Sequence, residues 1–209
     1  MMTLDTLLPK NALKGTGIIA EIGEYYVFLT SGKKHKTYER EKFFFGIGGH
    51  LEEDETFTEA VKREALEEIG SEIHLLDSNV TFYIDIEKNI KRINLSDTVN
   101  PYMIYEMKIK ASNSIYYVAI YKAEILSKPY INDYKECSAI IGLTKEQIIK
   151  YHDQKPLVEK VLLDGGKIFD GELDEKTNLF PIGTPYAYGL LLKRTQKGYT
   201  GGMSNGESF

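Results

Sequence analysis

Three glutamates within residues 48–70 (GGHLEEDETFTEAVKREALEEIG) could do chemistry together: Glu64, Glu67 and Glu68. Glu67 and Glu68 follow Glu64 by three and four residues, so on a helix their Cβ atoms lie about 5–6 Å from that of Glu64. Like charges at that spacing repel, and a half-buried carboxylate is costly unless something positive joins it. A hard divalent cation meets the need, because Mg²⁺ and Mn²⁺ take oxygen ligands and keep several waters. The alternative is a solvated acidic face beside a few small apolar residues.

The element that must position these carboxylates reads as a helix over residues 57–69. Thr56 is a good N-cap, and Glu59 three residues on completes a capping box. No Gly or Pro interrupts residues 57–69, and Gly70 sits where a helix-ending glycine belongs. At about 100° per residue, Phe57, Ala60, Val61, Ala65 and Ile69 share one arc. Glu64 and Glu68 fall inside that arc and Glu67 at its edge. Carboxylates on the side that faces the core favour the cation over the solvated face.

The succession Gly49, Glu55, Arg63-Glu64-Ala65, Glu67-Glu68 and Gly70 resembles the Nudix box of the Nudix hydrolase superfamily. Ser71 stands where that family usually has a bulky apolar residue, and Ile47 where many relatives have a proline. The resemblance implies that Glu64, Glu67 and Glu68 ligate Mg²⁺ or Mn²⁺, with the carbonyl of Gly49 as a further ligand. It implies that Arg63 pairs with Glu55 and braces the loop against the helix. The implied reaction is metal-dependent hydrolysis of a diphosphate linked to another group, usually a nucleoside. The base is then Glu67 or a carboxylate from a later loop, where Glu136 is the first candidate and Asp133 the second. The implied fold is α/β (α+β): a Nudix-type α/β/α sandwich with a mixed central sheet, covering roughly residues 15–164.

Features that mark relatives cleaving ADP-ribose, diadenosine polyphosphates or coenzyme A are absent or incomplete. That leaves a nucleoside triphosphate, including oxidised or non-standard ones, as the leading substrate class, and a nucleotide sugar or other diphosphate as the runner-up. Two readings come from other classes. A Nudix-fold ligand sensor without turnover is disfavoured because every box carboxylate is present. An isoprenoid-diphosphate isomerase is disfavoured because Cys137 comes late in the chain.

The remaining residues must build the frame. The chain has 209 residues, 27% of them charged and 42% hydrophobic, with a net charge of −5. This is ordinary globular composition for one domain, with an acidic balance that argues against a general nucleic-acid surface. One cysteine excludes an intrachain disulfide. No apolar run reaches membrane-spanning length, and residues 1–12 lack a secretion signal, so a cytoplasmic protein is expected.

Residues 16–22 and 25–30 read as a hairpin, 43–47 as a strand, 72–76 and 80–86 as strands, and 87–100 as a polar loop. Residues 102–110 and 114–125 read as an antiparallel pair turning at Ala111, Ser112 and Asn113. A strand over 138–143 leads to a helix capped by Thr144 and Gln147, and a further helix covers 156–163. The basic loop 31–42 offers Arg40 and Lys42 to an anionic substrate, with His35 exposed. Tyr105, Tyr116, Tyr117 and Tyr121 can stack on a base or fill the sheet. The domain plan is a loose arm over 1–13, a Nudix domain over 14–164, an extension over 165–194 and a disordered tail over 195–209. Three roles are open for the extension: covering the pocket, a homodimer contact, or packing on the sheet.

Overall fold

The computed structural model describes residues 1–109 and 112–196. A short helix α1 (Leu4–Leu7) precedes β1 (Leu13–Ile22), β2 (Tyr25–Ser31) and β3 (Glu41–Phe45). The helix α2 (Phe57–Ile69) follows, then β4 (Ile73–Leu76), β5 (Thr81–Ile84), β6 (Ile90–Ile93), β7 (Met103–Ile109) and β8 (Ser114–Ile125). The chain continues through β9 (Cys137–Leu143), α3 (Lys145–Tyr151), α4 (Val158–Leu163), β10 (Lys167–Gly171), β11 (Asn178–Pro181) and α5 (Thr184–Gln196).

Among the described residues, eleven strands join one mixed sheet, whose main path runs β10-β9-β2-β1-β8-β7-β5-β6. Alternation along the strands divides the core into two layers. Ile18 and Ala20 of β1 and Val27 and Leu29 of β2 face α1 and α2, while Ile19 and Phe28 face α3, α4 and α5. This is the expected α/β/α sandwich.

The sheet forks where β1 meets β2. Glu21 and Ile22 pair with the start of β2, after the chain reverses at Gly23 (φ 63°). The earlier part of β1 runs parallel to β8 instead, from Leu13 to Ala20. The other half of β2 turns to β3, which pairs with Leu29 and Thr30. Residues 47–51 fill the fork: the N–H groups of Thr16 and Ile18 donate to the carbonyls of Gly49 and Ile47 at 2.9 and 3.0 Å. Gly48 makes this possible with φ 141°, a conformation L side chains rarely adopt. A side-chain carbon there would come 2.6 Å from Gly17 Cα. We therefore expect Gly48→Ala to cost about 2–4 kcal/mol in chemical denaturation, from backbone strain plus overpacking.

Several expectations are corrected. The arm is docked, not loose: Thr3 caps α1, Leu4 and Leu8 are buried, and Leu4 N–H donates to Asp97 at 3.0 Å. The segment 87–100 is not all loop, because it holds β6, an edge strand whose Lys91 and Arg92 are exposed. His35 is not freely exposed; it packs against Phe43 and Phe45 and its Nε2 is buried. In the C-terminal extension, β10 pairs with β9 and β11 lies parallel to β3, while α5 buries Ala187, Tyr188 and Leu191 in the core. Thr195 and Gln196, expected within the tail over 195–209, close α5 instead. Residues 197–209, and Ala111 of the expected turn, lie outside the described residues.

Ser71, unusual for its position, is buried and clasps a later loop. Its Oγ accepts from Ser127 N–H at 3.1 Å and bonds the Ser127 hydroxyl at 2.9 Å. Hydrogen bonds here take the place of apolar packing at the end of α2.

Candidate active site

The acidic helix is built as its residues dictate. Thr56 and Glu59 exchange the bonds of a capping box, and Gly70 ends α2 in the left-handed conformation (φ 59°). Phe57, Ala60, Val61, Ala65 and Ile69 are the buried side chains, the same arc found by spacing. The second clamp comes from the loop after β8. Asn132 Nδ2 donates to the carbonyls of Leu66 and Glu67 at 2.8 and 3.0 Å, and Tyr130 N–H to that of Ile69 at 3.0 Å. Satisfying the orphan carbonyls of α2 in this way carries Asp133 and Glu136 to the acidic face.

Arg63 is the hub. Its Nε and Nη2 grip the two oxygens of Glu55 at 2.9 and 3.0 Å, a bidentate pair that orients both groups. Its Nη1 reaches Glu64 at 2.9 Å and Glu67 at 3.1 Å, and Nη2 reaches the His50 carbonyl at 3.2 Å. Glu68 turns into the fork and accepts the Gly48 N–H at 2.8 Å. Lys34 pairs with Glu136 at 3.1 Å.

The electrostatics follow from burial. Arg63 holds the Glu55 carboxyl below the usual range and is itself held firmly charged by Glu55. Burial pushes Glu64 up, with Arg63 opposing. It pushes Glu68 well up, with only the Gly48 N–H opposing and Glu64 adding repulsion. Burial likewise raises the Cys137 thiol, which suits a packed residue and not a nucleophile.

Glu52, Glu64, Glu67, Glu68, Asp133 and Glu136 line one cavity of about 280 Å³ with Arg63 and Cys137. The donor set is hard oxygen, as Mg²⁺ or Mn²⁺ requires. Gly49 adds a cradle: a side-chain carbon there would collide with the Glu64 carboxylate. These residues fit a divalent cation in kind. As they stand, among the described residues, no three His, Cys, Asp or Glu side chains close around a single point. The Gly49 carbonyl also already accepts from Thr16 N–H at 2.9 Å and from the Tyr116 hydroxyl at 3.2 Å.

Placement of the sequence candidates is mixed. Glu64, Glu67, Glu68, Arg63 and Glu136 share the acidic cavity, with Glu55 behind Arg63. Arg40, Lys42 and Tyr105 line neither this cavity nor its neighbour. Lys42 Nζ is engaged by the Ser31 carbonyl and the Ser138 hydroxyl, both at 2.7 Å. Tyr105 is buried, with its hydroxyl on Lys88 Nζ at 2.8 Å. Arg40 is exposed, with φ 57°. Sequence reasoning passed over Glu52, though its place between Gly49 and Glu55 was a usable signal. It also passed over His50 and Thr184, for which no local signal exists.

Residues 14–115 match the family model described as NUDIX domain. This stretch is a NUDIX domain. The fold agrees with a MutT protein from Methanosarcina mazei Go1: 12% identity, 91% of this chain and 99% of that chain covered, TM-score 0.51. A MutT NUDIX hydrolase from Burkholderia pseudomallei is 15% identical over 74% of this chain and 95% of that chain, with TM-score 0.46. A NUDIX-family hydrolase from Clostridium perfringens is 17% identical over 74% of this chain and 93% of that chain, with TM-score 0.45. No curated protein matches the chain. Among the described residues, no helix is long and apolar enough to cross a membrane. The acidic cavity of this NUDIX-domain protein lies between the box helix and the loop after β8.

Proposed function

We propose that this NUDIX-domain protein hydrolyses a diphosphate linked to another group, with Mg²⁺ or Mn²⁺ held by Glu64, Glu67 and Glu68. The observation that carries the reading is the convergence of these three with Glu136 on one cavity in which Glu64 and Glu68 are pushed up by burial. Such carboxylates call for a positive partner that Arg63 supplies only in part. When bound, a divalent ion supplies charge neutralisation on phosphate oxygens and a more acidic water. The Gly49 carbonyl joins the ligand set only if the Tyr116 hydroxyl yields its bond.

The chain's own residues do the rest. Arg63 and Glu55 hold the loop 49–55 against α2, so the carboxylates keep their spacing. Glu67 is exposed, with Arg63 as its side-chain partner, and takes the proton of the attacking water. Water oxygen bonds phosphorus, the anhydride P–O bond breaks, and two phosphate-bearing products leave. Glu136, steadied by Lys34, is the alternative base.

A nucleoside triphosphate, oxidised or not, is the leading substrate, and a nucleotide sugar the second. A neighbouring cavity of about 480 Å³, walled by Phe43, Phe45, His35, His50 and Tyr116, suits the flat face of a nucleobase. A non-catalytic sensor is the reading from another class, favoured by one observation: Arg63 lies across Glu64 and Glu67. The test is phosphate release from nucleotides and nucleotide sugars with Mg²⁺ or Mn²⁺, beside E67Q. Turnover that falls by about 10²–10⁴-fold in E67Q supports the hydrolase. Absence of turnover with ligand-induced thermal shifts supports the sensor.

A further inference from the structure

The 480 Å³ cavity has a second end. It runs from Glu64 and Glu68 to Ile182, Gly183 and Thr184, at the start of α5. Three other helices each use a threonine hydroxyl as their cap: Thr3, Thr56 and Thr144. α5 does not. Gly183 (φ 59°) gives it only a carbonyl, which accepts the Ala187 N–H at 3.0 Å. Pro185 has no N–H. The N–H groups of Thr184 and Tyr186 have no partner among the described residues. A helix of thirteen residues thus turns an uncapped positive end to the cavity.

Two side chains add independent evidence. Thr184 is only 4% exposed and its hydroxyl has no hydrogen-bond partner among the described residues, its oxygen keeping some contact with solvent where it lines the cavity. Gly17 and Gly46 make room for it, since a side-chain carbon at either would come 2.7 or 2.6 Å from Thr184 Oγ1. Elsewhere in the lining of this cavity, against Phe43 and Phe45, the buried His35 Nε2 also lacks a partner. Buried polar groups are rarely left unsatisfied in this way.

We propose that this end of the cavity is an oxyanion site that takes a phosphate-like group carried by the substrate beyond the bond cleaved; only the identity of that carrier rests on the proposed hydrolysis. Hydroxyl and N–H groups at a helix N-terminus donate, so they select an acceptor-rich, negatively charged ligand. Glu64 and Glu68 repel an anion at the opposite end, so charge alone orders the ligand along the cavity.

The test is a titration of the ¹⁵N-labelled full chain with inorganic phosphate, without divalent cations, followed by NMR. The Thr184 and Tyr186 amide resonances are expected to move together with one dissociation constant. T184V should weaken that binding about tenfold, the share of one hydrogen bond to a charged group. T184S, which keeps the hydroxyl, should stay within about twofold of wild type. Resonances that stay still at Thr184 and Tyr186, or an affinity that T184V leaves unaltered, overturn the site. The wild-type titration decides by itself if T184V does not fold. Turnover plays no part, so phosphate binding here without any hydrolysis sinks the proposed function alone. Hydrolysis with both resonances still sinks the oxyanion site alone.

Discussion

Glu68→Gln is expected to stabilise the metal-free protein and, in the same variant, to lower turnover about 10²–10⁴-fold. The two effects share one cause. Burial holds the Glu68 carboxyl well above its ordinary range, so keeping it charged in the folded state is unfavourable. Glutamine keeps an oxygen for the Gly48 N–H, bonded now at 2.8 Å, and removes the charge. The charge is what a divalent cation needs, so Mg²⁺ should raise the melting temperature of wild type and scarcely that of E68Q.

The pH dependence has a definite sign. Glu64 and Glu68 are both raised, so between the unfolded value of about 4.3 and their folded values the native state binds more protons than the unfolded state. Stability of the metal-free protein therefore falls as pH rises through that window. E68Q should flatten the fall. A metal-free E68Q that melts below wild type at neutral pH would refute the assignment of strain to this carboxylate.

Arg63→Ala is expected to cost about 2–3 kcal/mol, below the 3–5 kcal/mol of a fully buried pair because the side chain is 24% exposed. One guanidinium makes five hydrogen bonds here, to Glu55 twice, Glu64, Glu67 and the His50 carbonyl. Removing it takes the shared positive partner from the carboxylates of Glu55, Glu64 and Glu67. Arg63→Lys keeps the charge but loses the planar fork, so it should fall between wild type and alanine. Mg²⁺ should recover more stability in R63A than in wild type, because a cation can then do part of the neutralising. Urea denaturation with and without Mg²⁺ measures this; no gain in either protein would mean that the carboxylates take no ion.

Two of the helices with side-chain capping boxes, α2 and α3, were legible because their signals are local. Thr56 with Glu59, Thr144 with Gln147, and the apolar arc of α2 all act within a few residues of one another. So does the spacing of Glu64, Glu67 and Glu68, which put Glu64 and Glu68 inside the core-facing arc and Glu67, exposed in the fold, at its edge. β6 was hidden because a four-residue edge strand with exposed Lys91 and Arg92 looks like loop until β5 supplies its partner. Lys42 looked like a substrate contact until Ser31 and Ser138 were placed beside it.

By itself, then, the sequence determined the acidic helix, its caps and its core-facing arc, while the resemblance to the Nudix box implied the Arg63–Glu55 brace. These depend on spacings of about three to eight residues that any helix and its preceding loop impose. Only the tertiary structure decided which distant groups meet that face. Asn132 on the end of α2, Glu136 beside the box glutamates, Tyr116 on the Gly49 carbonyl and Thr184 between Gly17 and Gly46 all come from far along the chain. Their meeting depends on β1 leaving β2 for β8 and on the late strand β11 docking beside β3, pairings that no local pattern encodes.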